Sequence, residues 1–211
     1  MEGDRKGRED FYFKKETFIS KNAQKITEVY KMDSKTLGSG TYGVVKKATH
    51  ITTNQTRACK IISRKKIKNW ERFQTEVKIL QTLDHPNIIK LYEYFEDEKN
   101  VYLITEMCTG GELFDKIIEK EYFEEGYAAK IFRQILNAIN YCHKLEIAHR
   151  DLKPENFLYE TKEEASEIKV IDFGLSKICN TKNTGKIERL KTRAGTPYYI
   201  SPEVLAGNYD K

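Results

Sequence analysis

Gly110-Gly111 separates two stretches of different hydrophobic periodicity, and this change constrains the fold more than any other feature of the chain. Ahead of the pair, apolar residues fall in short runs between polar turns. Val44-Val45 and Ala48 lead through Thr53-Asn54-Gln55 into Ala58-Cys59-Lys60-Ile61-Ile62, the pattern of a strand hairpin. Two more strands are expected, Ile88 to Phe95 and Val101 to Glu106, joined by Glu96-Asp97-Glu98-Lys99-Asn100. Before them, Lys68 to Leu83 carries Phe73, Val77 and Leu80 at helical spacing, and His85-Pro86-Asn87 stops it. Behind the glycine pair the spacing turns helical. Leu113 to Glu119 reads as a short helix. Glu124 to Leu145 reads as a long one, with Ala128, Phe132, Ile135, Ile139 and Cys142 facing inward. Short strands follow around Phe157-Leu158-Tyr159 and Ile168-Lys169-Val170-Ile171, then a long loop to Ser201-Pro202-Glu203.

The expected fold class is α+β and bilobal, with a small antiparallel-sheet lobe, a glycine hinge and a helical lobe that stops after the long loop. Three units are expected. Residues 1–28 are a polar, lysine-rich extension with one apolar knot, Phe11-Tyr12-Phe13, and are expected to be partly disordered. Residues 29–108 form the sheet lobe and hinge, and residues 109–211 the partial helical lobe.

Composition excludes several function classes. No run approaches the roughly 20 consecutive apolar residues that a membrane helix needs. The start, Met1-Glu2-Gly3-Asp4-Arg5, has neither an apolar signal region nor a glycine at position 2, which disfavours secretion and myristoylation. Cys59, Cys108, Cys142 and Cys179 are widely spaced, so they read as free thiols in a reducing, cytoplasmic setting rather than as a zinc site or disulfide framework. The net charge of +5 is spread among acids without an aromatic-basic module, so nucleic acid is not an expected partner.

The chemistry sits in four strings. Leu37-Gly38-Ser39-Gly40-Thr41-Tyr42-Gly43-Val44-Val45 is glycine-rich, and glycines let backbone N–H groups approach phosphate oxygens. A dinucleotide loop would need a helix next and an acid about 20 residues on. Here Val44-Val45 continues as strand, and Arg64-Lys65-Lys66 stands where the acid is required. Lys60 lies on an apolar strand, where a lysine can also snorkel to solvent. Glu76 shares the helix face of Phe73 and Leu80, and a carboxylate there is costly unless paired, with Lys60 the natural partner; the alternative is a frayed or partly exposed Glu. His149-Arg150-Asp151-Leu152-Lys153-Pro154-Glu155-Asn156 is followed sixteen residues after Asn156 by Asp172, which opens Asp172-Phe173-Gly174. Phosphoryl transfer needs a group to orient the attacking hydroxyl, cations for the phosphate oxygens and ligands for a metal. Asp151 can accept the hydroxyl proton, Lys153 can reach the transferring phosphate, and Asn156 and Asp172 offer hard oxygens to Mg²⁺.

In this order, and with Ser201-Pro202-Glu203 closing the series, these strings resemble the signature set of the eukaryotic protein kinases over about Tyr30 to Lys211. Cys59 beside the lysine and Ser201 before Pro-Glu depart from the usual Ile and Ala; neither removes a charged group. Lys153 resembles the serine/threonine class. Gly110-Gly111-Glu112-Leu113-Phe114-Asp115 and Gly195-Thr196-Pro197-Tyr198-Tyr199-Ile200 resemble the calcium/calmodulin-regulated group, above all the calcium-dependent kinases of plants and apicomplexan parasites.

The resemblance implies ATP and Mg²⁺ as cofactors and serine- or threonine-bearing proteins as substrates. It implies a nucleotide site built from Leu37, Gly38, Ser39, Gly40, Thr41, Gly43 and Val45 of the glycine loop. Ala58 and Leu158 would sandwich the adenine, the backbone of Glu106 and Cys108 would bond its edge, and Thr105 would gate the back of the pocket. Lys60, Glu76, Asp151 and Lys153 would be catalytic, and Asn156 and Asp172 would hold the metal. Glu112 and Glu155 would meet the ribose or basic substrate residues. Leu80, Leu91, His149 and Phe173 would form a packed column between the lobes. Thr192 stands where related kinases accept an activating phosphate, with Arg150 as the matching cation; the alternative is a plain polar loop residue, with calcium alone as the switch. A calcium-sensing C-terminal region is implied, although no Asp-x-Asp-x-Asp-Gly loop occurs in these residues. The alternative reading is a kinase-like nucleotide-binding module, inactive because the helical lobe is incomplete.

Overall fold

The computed structural model describes Ile19 and residues 21–40, 43–179 and 189–210. A one-turn helix, α1 (Ile26–Val29), leads into β1 (Tyr30–Gly40), β2 (Gly43–His50) and β3 (Thr56–Ser63). Helix α2 (Trp70–Thr82) crosses to β4 (Leu91–Glu96) and β5 (Asn100–Thr105). The five strands form one antiparallel sheet in the order β1-β2-β3-β5-β4. After the hinge come α3 (Leu113–Lys120), α4 (Glu125–Lys144), β6 (Ile147–Ala148), β7 (Phe157–Tyr159), β8 (Ile168–Val170), β9 (Lys177–Ile178) and α5 (Pro202–Ala206). Strand β6 pairs with β9, and β7 with β8. The α+β plan with a sheet lobe and a helical lobe is the one expected from the sequence.

Two elements differ from that expectation. The strand expected from Ile88 begins only at Leu91. Residues 87–89 direct their backbone bonds to β8 instead: Ile89 N–H donates to Val170 O (2.9 Å), and Val170 N–H donates to Asn87 O (2.9 Å). The second difference is the inward face of α4. Phe132 is 60% exposed, and the buried stripe is Ile131, Ala138 and Cys142, with Ile135 packed against the core. Positions 131, 135, 138 and 142 advance by four, three and four, which keeps one line along a helix. Phe132 stands one residue off that line.

Helix α2 starts where the Asn69 side chain accepts the Arg72 N–H (2.9 Å), an N-cap that satisfies one of the donors left free at a helix start. Its buried face carries Phe73, Val77, Ile79, Leu80 and the charged Glu76. The core it joins runs through both lobes, from Leu91 and Leu103 to Ile147, Phe157 and Phe173. Leu80, Leu91, His149 and Phe173 are all buried, and the His149 and Phe173 rings meet edge to face at 4.9 Å. A second cluster, including Val29, Ala48, Cys59, Phe95 and Ile104, covers the other side of the sheet.

The free edge of β4 is covered rather than exposed. Lys21 bridges to Tyr94 in parallel, Asn22 N–H donates to Tyr94 O (2.9 Å), and Ile19 is buried in the main core. Glycine is required at two places. A Cβ on Gly43 would collide with the Ile61 carbonyl of β3, and one on Gly110 would collide with the Thr161 carbonyl. No helix among the described residues is long and apolar enough to cross a membrane.

Candidate active site

The register of β3 brings Lys60 opposite Val45 of β2 and Leu103 of β5, and Ala58 opposite Thr105. From there Lys60 Nζ reaches Glu76 Oε1 of α2 at 3.5 Å. Burial pushes the Glu76 carboxyl above the ordinary range, with Lys60 opposing the rise and Asp172 adding to it. Burial would raise Asp172 too, but the Lys60 ammonium and the Gly174 N–H outweigh it, and Asp172 is held below the ordinary range. The Gly174 N–H donates to Asp172 Oδ1 at 2.9 Å. Lys60 therefore favours the ionised form of both carboxylates. Arg72 Nε donates to Gly174 O (3.2 Å), which ties α2 to the Asp172-Phe173-Gly174 turn. Between these groups and the β3–α2 loop lies a cavity of about 420 Å³, lined by Lys60, Arg72, Glu76 and Gly174 among others.

The second half of the site is the loop after β6. Asn156 is buried; its Nδ2 donates to Asp151 O (2.7 Å) and Asp151 Oδ2 (3.2 Å), while Ile171 N–H donates to Asn156 O (3.1 Å). That last bond sets Asn156 beside the residue preceding Asp172. Lys153 Nζ lies 3.4 Å from Asp151 Oδ2. His149 is buried, and burial pulls its imidazole down to about 4 against the opposing pull of Asp172 and Asp151. It is therefore a neutral packing group at physiological pH. Arg150 adopts φ +69° and donates from Nε to Leu175 O (2.6 Å).

Thr196 was legible only as part of a string. In the fold its hydroxyl donates to Asp151 Oδ1 (2.7 Å) and accepts from Lys153 Nζ (2.8 Å). Threonine is common in polar loops, and nothing local marks this one. In the sequence Lys169 is one residue of a short expected strand; in the fold it is buried, with Glu106 at 3.0 Å and Glu160 at 3.5 Å. A lysine flanked by isoleucine and valine was the available signal.

The remaining candidates fall as follows. Leu37, Gly38 and Ser39 are exposed on β1, Gly40 ends that strand opposite Gly43, and Thr41 lies outside the described residues. Val45 is half-buried, Ala58 buried, and Thr105 half-buried opposite Leu91. In the hinge, Glu106 N–H donates to Lys90 O (3.0 Å), Thr109 N–H to Glu160 O (2.9 Å) and Gly110 N–H to Tyr159 O (3.0 Å). Among the described residues, the Cys108 N–H has no backbone acceptor. Burial raises the Cys108 thiol to about 12, with Glu106 adding to the rise, so it is an unreactive thiol. Leu158 bridges to Glu112 across the floor of the hinge. Glu112 is raised by burial and by the neighbouring Asp115 and Glu155 carboxylates, and Glu155 Oε2 is buried without a hydrogen-bond partner among the described residues. Thr192 is exposed, and its carbonyl accepts the Tyr209 hydroxyl (2.6 Å). Thr181 and Thr184, two further hydroxyls of the long loop that the sequence offers as phosphoacceptors, lie outside the described residues.

A five-stranded lobe joined through a glycine hinge to a helical lobe, with these charges gathered at the seam, is the architecture of a protein kinase domain. The chain belongs to the protein kinase domain family, which matches residues 31–211. It is 49% identical over 202 residues to calcium-dependent protein kinase 3 of Plasmodium yoelii yoelii, covering 96% of this chain and 37% of that protein. It is 50% identical over 193 residues to calcium-dependent protein kinase 5 of Plasmodium falciparum (isolate 3D7), covering 92% of this chain and 33% of that protein. Calcium-dependent protein kinase 4 of the same parasite is 46% identical over 198 residues, covering 92% and 36%. The chain thus spans about a third of the length of these relatives.

Proposed function

We propose that this chain is the catalytic part of an ATP-dependent protein serine/threonine kinase that moves the γ-phosphoryl group of MgATP to substrate hydroxyls. The observation that carries the reading is the constraint on Asp151. Thr196, Asn156 and Lys153 all engage its carboxylate, while Asp172, held ionised by Lys60, lies next to the residue that bonds Asn156. That is the set of groups phosphoryl transfer needs, in one place.

The donor set suits a hard divalent cation. Asp172 supplies a carboxylate, and Asn156, whose amide nitrogen is engaged by Asp151, supplies an oxygen. The described residues contain no cluster of three or more His, Cys, Asp or Glu, so phosphate and water would complete the shell. When bound there, the cation neutralises phosphate charge. Asp151 orients the substrate hydroxyl and takes its proton. Lys153 meets the transferred group, and Lys60, steadied by Glu76, meets the phosphates of the nucleotide. The free Cys108 N–H and the Glu106 carbonyl serve the adenine edge, between Ala58 above and Leu158 below.

The buried, unpartnered Glu155 oxygen beside Glu112 favours substrates with arginine or lysine upstream of the phosphoacceptor. The relatives are named calcium-dependent protein kinases, which supports calcium regulation of the full-length protein; a C-terminal calcium-sensing region and a cytoplasmic setting are part of the same proposal. A kinase-like module without activity is not favoured, because every charged group of the site is present.

The test is phosphotransfer by the full-length protein to serine, threonine and tyrosine peptides, with calcium and with a chelator. Transfer to serine or threonine that depends on Asp151 is expected. No transfer under either condition, or transfer to tyrosine alone, would reject the reading.

A further inference from the structure

Lys169 stands apart from the groups that face the cleft. It lies on β8, its side chain is 9% exposed, and a lysine so buried is costly unless paired. It has two partners: Glu106 Oε2 at 3.0 Å and Glu160 Oε2 at 3.5 Å. These flank the hinge. Glu106 begins it, and is clamped further by the Lys90 N–H on its Oε1 (2.7 Å) and by its own N–H on Lys90 O (3.0 Å). Glu160, which follows β7, holds its far end, since the Glu160 carbonyl accepts the Thr109 N–H (2.9 Å). The Lys169 ammonium therefore ties the entry of the hinge to its exit, across the span that contains the Cys108 N–H, which has no backbone acceptor among the described residues. Its charge is secure: burial would weaken it, and the two carboxylates outweigh burial.

We propose that Lys169 is a positioning residue for nucleotide binding: it holds the hinge backbone at the spacing the adenine edge requires. The proposal rests on the nucleotide-site reading above. Without the ammonium, the Glu106 and Glu160 carboxylates face one another with no shared cation, and their repulsion spreads the two ends of the hinge. The phosphate end, built on Lys60 and Asp172, is untouched by this change. A loosened hinge thus weakens adenine recognition selectively.

The experiment uses full-length protein bearing Lys169→Met or Lys169→Arg. Calorimetry measures ADP, which needs the hinge, and inorganic tripolyphosphate, which does not; steady-state assays measure KM for ATP and kcat. Lys169→Met is expected to weaken ADP and raise KM about tenfold, with tripolyphosphate affinity and kcat within about twofold. Lys169→Arg, which keeps the charge, should restore most of the loss. A lowered melting temperature with unchanged ADP affinity would assign Lys169 a purely structural role and overturn the proposal. Equal losses of ADP and tripolyphosphate would overturn it as well. If Lys169→Met does not fold, Glu106→Gln decides: it must weaken ADP selectively, and unchanged ADP affinity overturns the proposal. Wild-type protein that binds ADP but transfers no phosphate sinks the kinase reading and leaves this comparison intact. Wild-type protein that binds no ADP overturns the inference itself.

Discussion

The Thr196 hydroxyl donates to Asp151 Oδ1 at 2.7 Å across 45 positions of sequence, and Thr196 Oγ1 itself accepts from Lys153 Nζ at 2.8 Å. One side chain from the segment before α5 thus bridges the two charged groups proposed to act on the substrate hydroxyl and the moving phosphate. Thr196→Ala is expected to lower kcat about tenfold, the effect of losing one hydrogen bond to a charged group, and to leave KM for ATP unchanged. Thr196→Ser should recover most of the rate. Full activity in the alanine variant would show that the bridge has no part in turnover.

Asp151→Asn tests the base. The amide cannot take a proton, while Lys60 and Asp172 still meet the nucleotide. Turnover should fall by about 10²- to 10⁴-fold, with ADP affinity within about twofold of wild type. A kcat near that of wild type would remove Asp151 from the mechanism.

Glu76→Gln separates positioning from stability. Glu76 is buried, and burial disfavours its charge, so a neutral amide removes a desolvation cost along with the pair to Lys60. The melting temperature is expected to stay within about 4 °C, the shift that roughly 1 kcal/mol produces in a domain of this size. Activity should drop at least about tenfold as Lys60 loses its tether. Unfolding without a separate loss of specific activity would make the pair structural.

His149 predicts a pH dependence of stability. In the fold it stays neutral until about pH 4, against an ordinary value of 6.5. Between those values the unfolded chain binds the proton and the folded chain does not. Stability from this group is therefore complete above pH 6.5 and is lost as pH falls towards 4, by up to about 1.4 kcal/mol per pH unit. Denaturant titrations at pH 7 and pH 5 should show a smaller difference for His149→Gln than for wild type. Equal differences would mean that another group controls the window.

The Glu112–Glu155 acidic patch predicts substrate choice. Peptides with arginine upstream of the acceptor should have lower KM than alanine-substituted versions, and Glu155→Gln should narrow that gap by about tenfold. A peptide library with no basic preference would contradict the assignment.

Local patterns were legible in the sequence because strand and helix periodicities, caps and loop strings are encoded within a few neighbouring residues. The α2 stripe of Phe73, Glu76, Val77 and Leu80, the Gly110-Gly111 boundary and the loop from Asp151 to Asn156 are of this kind. The Lys60–Glu76 pair was also readable, since a carboxylate on an apolar helix face demands a cation. Tertiary structure decided the rest. Which stripe of α4 turns inward depends on what packs against it, so Ile131 and Ala138 are buried while Phe132 faces solvent. Residues 88–90 read as strand, yet Ile89 is bonded to Val170 of β8 and Lys90 to Glu106 of the hinge. Thr196 meets Asp151 at 2.7 Å, and Lys169 meets Glu106 at 3.0 Å, only because chain folding brings distant segments within hydrogen-bonding range. No local spacing encodes such a meeting; it follows from the burial of the core that sets the two lobes against each other.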